Sequence, residues 1–147
     1  MRKSDSYSLN NNILLNLYGV KTSEEEKNIK YAQYLNALRK LAYNGYLDAQ
    51  YDLAQHYEDM GFWGLPNPYH NIHKKFYWYS KAAENNHAAA CNNLADMYER
   101  GEGCTQDIKK ALSLYKKSAN LGDSCGRKNY KLLLKQIKSG KYKLDEI

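Results

Sequence analysis

Three stretches of this chain restate one another, and such self-similarity limits the chain to architectures in which like units stack to share a core. Asn36-Ala37-Leu38-Arg39-Lys40-Leu41-Ala42-Tyr43-Asn44-Gly45 aligns with Tyr77-Trp78-Tyr79-Ser80-Lys81-Ala82-Ala83-Glu84-Asn85-Asn86 and with Ser113-Leu114-Tyr115-Lys116-Lys117-Ser118-Ala119-Asn120-Leu121-Gly122. Each has a lysine two residues before a small alanine and a Gly or Asn three after it. Ala42, Ala83 and Ala119 are spaced by 41 and then 36 residues. The segments that follow also match. Ala49, Leu53, Ala54 and Tyr57 return as Ala90, Leu94, Ala95 and Tyr98, and a degraded third copy runs from Gly126 through Tyr130, Lys131 and Leu134. The pattern small-x-x-x-Leu-Ala-x-x-Tyr places its members on one helical stripe. The small residues admit a neighbouring helix, and Leu and Tyr fill the remaining space.

End signals agree with this periodicity. Gly45, Asn86 and Gly122 stand where a helix closes on a left-handed residue. Asn71 and Asp107 stand one repeat apart as N-caps, and Ser23-Glu24-Glu25-Glu26 reads as a capping box. The expected architecture is all-α, with about seven helices near 8–18, 24–44, 47–59, 72–85, 87–100, 108–120 and 123–138. Nothing reads as a strand. The polar tail 139–147 is expected to fray.

At this point the residues resemble a known family. Ala90-x-x-x-Leu94-Ala95-x-x-Tyr98-x-x-Gly101-x-Gly103-x-x-x-Asp107-x-x-Lys110-Ala111-x-x-Leu114-Tyr115-x-Lys117-x-Ala119-x-x-Gly122 is similar to the Sel1-like repeat, a relative of the tetratricopeptide repeat. The copy from Ala49 to Asn86 keeps the Leu-Ala-x-x-Tyr part, but its connecting loop is five residues longer and lacks Gly-x-Gly. The resemblance covers about residues 29–138, with residues 1–28 as a capping segment and 139–147 as the tail. It implies an α-solenoid of antiparallel helix pairs wound into a right-handed superhelix. It implies no catalytic residues and no cofactor. It also implies the roles of such proteins: scaffolds, adaptors, regulators, and in bacteria secreted effectors or immunity proteins.

In a stacked solenoid the first helix of each pair lines the concave face. Two residues before the repeat leucine, two after and five after then point into the groove. These positions are Tyr51, Gln55 and Glu58, then Asn92, Asp96 and Glu99, then Lys128 and Lys135. They form a polar groove, acidic in the middle and basic at one end, suited to a peptide, loop or helix of a partner protein. The long loop from Met60 to His73 is a second candidate. There Phe62, Trp63, Leu65 and Tyr69 either anchor a partner or, for the first three, fold back to plug the insertion.

Charge is uneven along the chain. Residues 109–147 carry a net +8 and residues 1–108 a net −2. A nucleic-acid interface around Lys128, Lys131, Lys135 and Lys138 is the alternative reading, against a solvated basic helix. Apart from Tyr130 and Tyr142, no aromatics interleave with those cations, so base stacking has little support.

Enzymatic chemistry has no clustered support. His70-x-x-His73, with His56 and His87 as further candidates, has no nearby cysteine to complete a zinc site. Cys91 and His87 share a helix face, but Cys91 follows Ala88-Ala89-Ala90 in a packed stretch where a thiol behaves as a small hydrophobe. Gly101-x-Gly103 follows no strand and lacks a third glycine, so it reads as a turn rather than a dinucleotide fingerprint. Three cysteines, Cys91, Cys104 and Cys125, form no disulfide framework. Ser4 to Asn12 is too polar for a leader, and Ile13-Leu14-Leu15 is far too short to span a bilayer. A cytoplasmic protein is expected, as a monomer or an end-to-end homodimer, with no metal and no cofactor.

Overall fold

The computed structural model describes residues 23–58 and 67–143. The expected helix at 8–18 and the loop residues Phe62, Trp63 and Leu65 lie outside them. Six helices are described: α1 (Glu24–Tyr43), α2 (Leu47–His56), α3 (Ile72–Glu84), α4 (Ala88–Arg100), α5 (Ile108–Asn120) and α6 (Ser124–Lys138). Among the described residues there is no strand. The all-α expectation holds, and most helix ends fall within one residue of their expected place. α2 is the exception and stops at His56, three residues early.

The chain divides into two compact units, Met1–Leu53 and Ala54–Ile147. In the first, the Ser23 hydroxyl accepts from the Glu26 amide while the Glu26 carboxylate accepts from the Ser23 amide, completing the capping box. Tyr34, Leu35, Leu38 and Ala42 form the buried stripe of α1. The buried Gln50 amide donates to the Ala42 carbonyl at 3.1 Å, satisfying a helix-end acceptor. Burial, and after it the nearby Asp52 carboxylate, pushes the Tyr34 phenol up.

In the second unit α3 packs on α4, α4 on α5 and α5 on α6, and α4 also meets α6. Each helix begins on a side-chain acceptor that takes up one or two orphan amides. Asn71 accepts from Lys74, His87 from Ala90, Asp107 from Lys110, and Asp123 from Cys125 and Gly126. The core gathers Ala95, Ile108, Ala111, Tyr115 and Leu133. Trp78, Tyr79, Ala82, Ala83, Ala90, Cys91 and Leu94 are buried as well.

Two details depart from the sequence reading. On α6 the buried large side chain is Leu133, whereas Tyr130 and Leu134 are half-buried. Tyr98 is half-buried too, its ring 5.5 Å from Phe76 and covered by the Lys110 ammonium at 4.6 Å. Gly140 (φ +81°) and Lys141 close α6 by donating to the Ile137 and Gln136 carbonyls, and Tyr142 packs against the core. The Tyr142 ring is half-buried there, beyond the glycine that closes the helix.

Gly101 and Gly103 both adopt left-handed backbone, φ +71° and +69°, in the tight connection from α4 to α5. A Cβ at Gly103 would lie 3.2 Å from Ile72 Cγ1 and from its carbonyl oxygen, and 3.4 Å from Met97 Cε. Gly103→Ala is therefore expected to cost about 2 kcal/mol, combining left-handed strain with crowding. Gly45→Ala should cost less, because nothing lies within 4 Å of its Cβ position and only the strain applies. Thermal melts of the two variants, followed by circular dichroism, check the order; equal losses would refute the crowding.

Candidate partner-binding face

The polar positions of α4 point away from the α4 core stripe, and the structure shows what each touches. Asn92 Oδ1 accepts from Asn129 Nδ2 on α6 at 2.9 Å, and Asn92 Nδ2 donates to Asn93 Oδ1 at 3.3 Å. Three amides thus run in one direction, from α6 across α4. Asp96, one turn further on, holds Arg100 at 3.0 Å in an exposed i,i+4 pair. These residues line a cleft of about 290 Å³ with Glu58, Lys75, Tyr79 and Met97. All of them belong to the second unit.

Glu58 and Glu99 have a further use. The Tyr79 hydroxyl donates to the Glu58 carboxylate, and the Tyr115 hydroxyl donates to Glu99 at 3.0 Å. Both tyrosines are buried on the second helix of a pair; Glu99 lies in the last turn of the first helix, and Glu58 two residues past the end of its counterpart. The same clasp therefore closes two successive repeats. Burial, and then the Glu99 charge, pushes the Tyr115 phenol up, so it stays a donor. Glu58 also meets the buried Lys75 ammonium at 2.8 Å, and the Glu102 carboxylate lies 3.7 Å from the same ammonium. Tyr142 adds a hydroxyl 3.5 Å from Glu99.

The remaining candidates are scattered. Tyr51 is half-buried and Gln55 exposed. Lys128 and Lys135 are exposed on α6. Tyr69 is 52% exposed, its ring 5.2 Å from His56. The visible end of the long loop is tied down: Asn67 Nδ2 donates at 2.8 Å to the carbonyls of both His56 and Glu58. Sequence reasoning missed Lys75, Asn93 and Asn129 in the cleft. It also missed the clasps, although a signal was there: Tyr79 and Tyr115 are 36 apart and Glu58 and Glu99 are 41 apart, the spacings of the repeat itself.

Three of the groups weighed for catalysis or metal binding make structural contacts. His87 Nδ1 accepts from the Ala90 amide at 3.1 Å as the α4 cap. Cys91 is fully buried with its sulfur 3.8 Å from the Ala83 carbonyl, and burial pushes its thiol up, away from the thiolate a nucleophile needs. His70 Nδ1 lies 3.1 Å from the Tyr57 carbonyl.

Comparison with known proteins gives the same architecture. The chain resembles, at 26% identity and a TM-score of 0.67, the crystal structure of a Sel1 repeat protein from Oxalobacter formigenes; the match covers 88% of this chain and 87% of that one. It also resembles a protective antigen present in uropathogenic Escherichia coli strains that displays an SLR fold, at 26% identity and a TM-score of 0.63. That match covers 85% of this chain and 24% of the antigen. The Sel1 repeat family model matches residues 47–87 and 88–123, just over half of the sequence. These are the two repeats that each carry a tyrosine–glutamate clasp, and the chain belongs to the Sel1 repeat family.

Proposed function

We propose that this protein is a non-catalytic interaction module that holds a segment of a partner protein against the polar face of α4. Sel1 repeat proteins are generally protein–protein interaction modules. The observation that carries the reading is the amide run Asn129–Asn92–Asn93 beside Asp96 along an open cleft. Primary amides both donate and accept, so a row of them matches the alternating N–H and C=O groups of an extended peptide. Asn92 and Asp96 make the central contacts in this reading. Gln55 and Tyr51, and Tyr69 with Phe62 and Trp63, are proposed as further partner contacts; Lys128 and Lys135 are exposed on α6 and do not line the cleft. Glu58 and Glu99 contribute charge at the edge while holding their tyrosines.

Such a module acts by occupancy, bridging two proteins or blocking one. We assign it an adaptor or inhibitor role, of which a toxin-neutralising immunity protein is one form. Three free cysteines accord with a reducing compartment, and we place the protein in the cytoplasm. Among the described residues no helix is long and apolar enough to cross a membrane.

The test is a photo-crosslinking residue at position 92, with a second at the exposed Ser113 of α5 as control. Position 92 is expected to capture a specific protein that position 113 does not. Asn92→Ala combined with Asp96→Ala should then lose that protein while the melting temperature moves by only a few degrees, since both side chains are part-exposed. Equal capture at both positions would sink the cleft as the docking face.

A further inference from the structure

In the repeat register, α6 stands where α4 stood, but its surface is changed. Cys91 and Ala95 of α4 are fully buried, and a 36-residue shift puts the exposed Arg127 and Lys131 in their places. Lys135 stands where Glu99 accepts its tyrosine. The face that a further repeat would cover has therefore lost both its small buried positions and its clasp acceptor. With Lys128 and Lys138 added, five cations lie within about 100° of arc around the helix, along about 16 Å of its length. α6 has no acidic residue at all.

A purely solvated face would need only polar groups, and mixed signs would serve it better. Arg127–Lys131 and Lys131–Lys135 are like-charge i,i+4 pairs that weaken the helix. A cost of this kind is offset when an anionic surface docks. Beside the cations lies Leu132, 50% exposed, one turn from Lys128 and three residues before Lys135. Phosphodiester offers nothing apolar to such a side chain, and the one aromatic of α6, Tyr130, packs against the core. Cations around an exposed leucine match an acidic protein segment that also presents an apolar residue.

We infer that the outer face of α6 is a second docking surface, distinct from the α4 cleft, for an acidic amphipathic segment of a partner protein. Arg127, Lys128, Lys131, Lys135 and Lys138 steer and pair with its carboxylates, and Leu132 provides the apolar contact.

The experiment uses the full chain and two fluorescent probes in anisotropy titrations: a short helical peptide of glutamate, alanine and leucine, and a DNA duplex. The peptide is expected to bind at low salt and more tightly than the duplex. Lys128→Ala with Lys131→Ala and Lys135→Ala should weaken it by about tenfold or more, the alanines being good helix formers at exposed sites. Leu132→Ser should weaken the peptide by about tenfold and leave the duplex unchanged. The Asn92→Ala and Asp96→Ala pair should leave peptide binding intact, which separates this surface from the cleft. No peptide binding at low salt, tighter binding of the duplex, or indifference of the peptide to Leu132→Ser would each overturn the inference.

Discussion

Replacing Gly126 by alanine is expected to destabilise the protein by about 3 kcal/mol, a fall in melting temperature of about 10 °C or more. The methyl group would collide with Oγ and Cβ of Ser118 and come within 3.1 Å of the Ala119 amide nitrogen. Ser118 cannot move aside cheaply. It is fully buried, and its hydroxyl lies 2.8 Å from both the Ala88 carbonyl and the Asp123 carboxylate. In the earlier repeats the position of Gly126 is held by the fully buried Ala49 and Ala90, and the position of Ser118 by Ala82. The hydroxyl gained at 118 is thus accommodated by the methyl lost at 126. A double-mutant cycle tests this coupling. Ser118→Gly alone should destabilise, through a lost buried hydrogen bond and a helical glycine. In the Gly126→Ala background the same change should restore part of the loss. Additive effects, or a Gly126→Ala variant as stable as the parent, would show that the two positions do not compete for space.

Glu58→Ala is expected to cost about 2–3 kcal/mol, because it strips the partner from both the buried Lys75 ammonium and the buried Tyr79 hydroxyl. Glu102, 3.7 Å from Lys75, keeps the loss below that of a wholly isolated charge. Lys75→Met should cost under about 1 kcal/mol, since it removes the charge that needed a partner and keeps the volume of the stem. Glu58 still accepts from Tyr79 in that variant. Urea titrations of the two proteins give the comparison, and a Lys75→Met loss as large as that of Glu58→Ala would mean the ion pair itself supplies the stability.

The helix frame was legible because its signals are local. Ser23, Asn71 and Asp107 cap through hydrogen bonds to amides two or three residues on, and Gly45, Asn86 and Gly122 take left-handed backbone whatever lies across the core. The deep position of α6 was not legible, because it depends on a neighbour. Alignment to the repeat pointed to Tyr130 and Leu134, while burial falls on Leu133, the position equivalent to the buried Met97 of α4. Lys75 shows the same limit from the other side. A lysine reads as surface until the fold brings Glu58 and Glu102 around it. Asn92 and Asp96 were legible as part-exposed residues of the α4 face. Asn129, which completes the amide run, comes from another helix and a degraded copy where the pattern had faded.

The two tyrosine–glutamate clasps span different lengths of chain: 21 residues from Glu58 to Tyr79, and 16 from Glu99 to Tyr115. The pin nonetheless joins the same two points of the hairpin each time, although one connection is five residues longer than the other. A lineage carrying this fold can lengthen, shorten or rewrite the connecting loop while the scaffold under it keeps its shape. Variation at that edge is then borne by the connection rather than by the pinned helices.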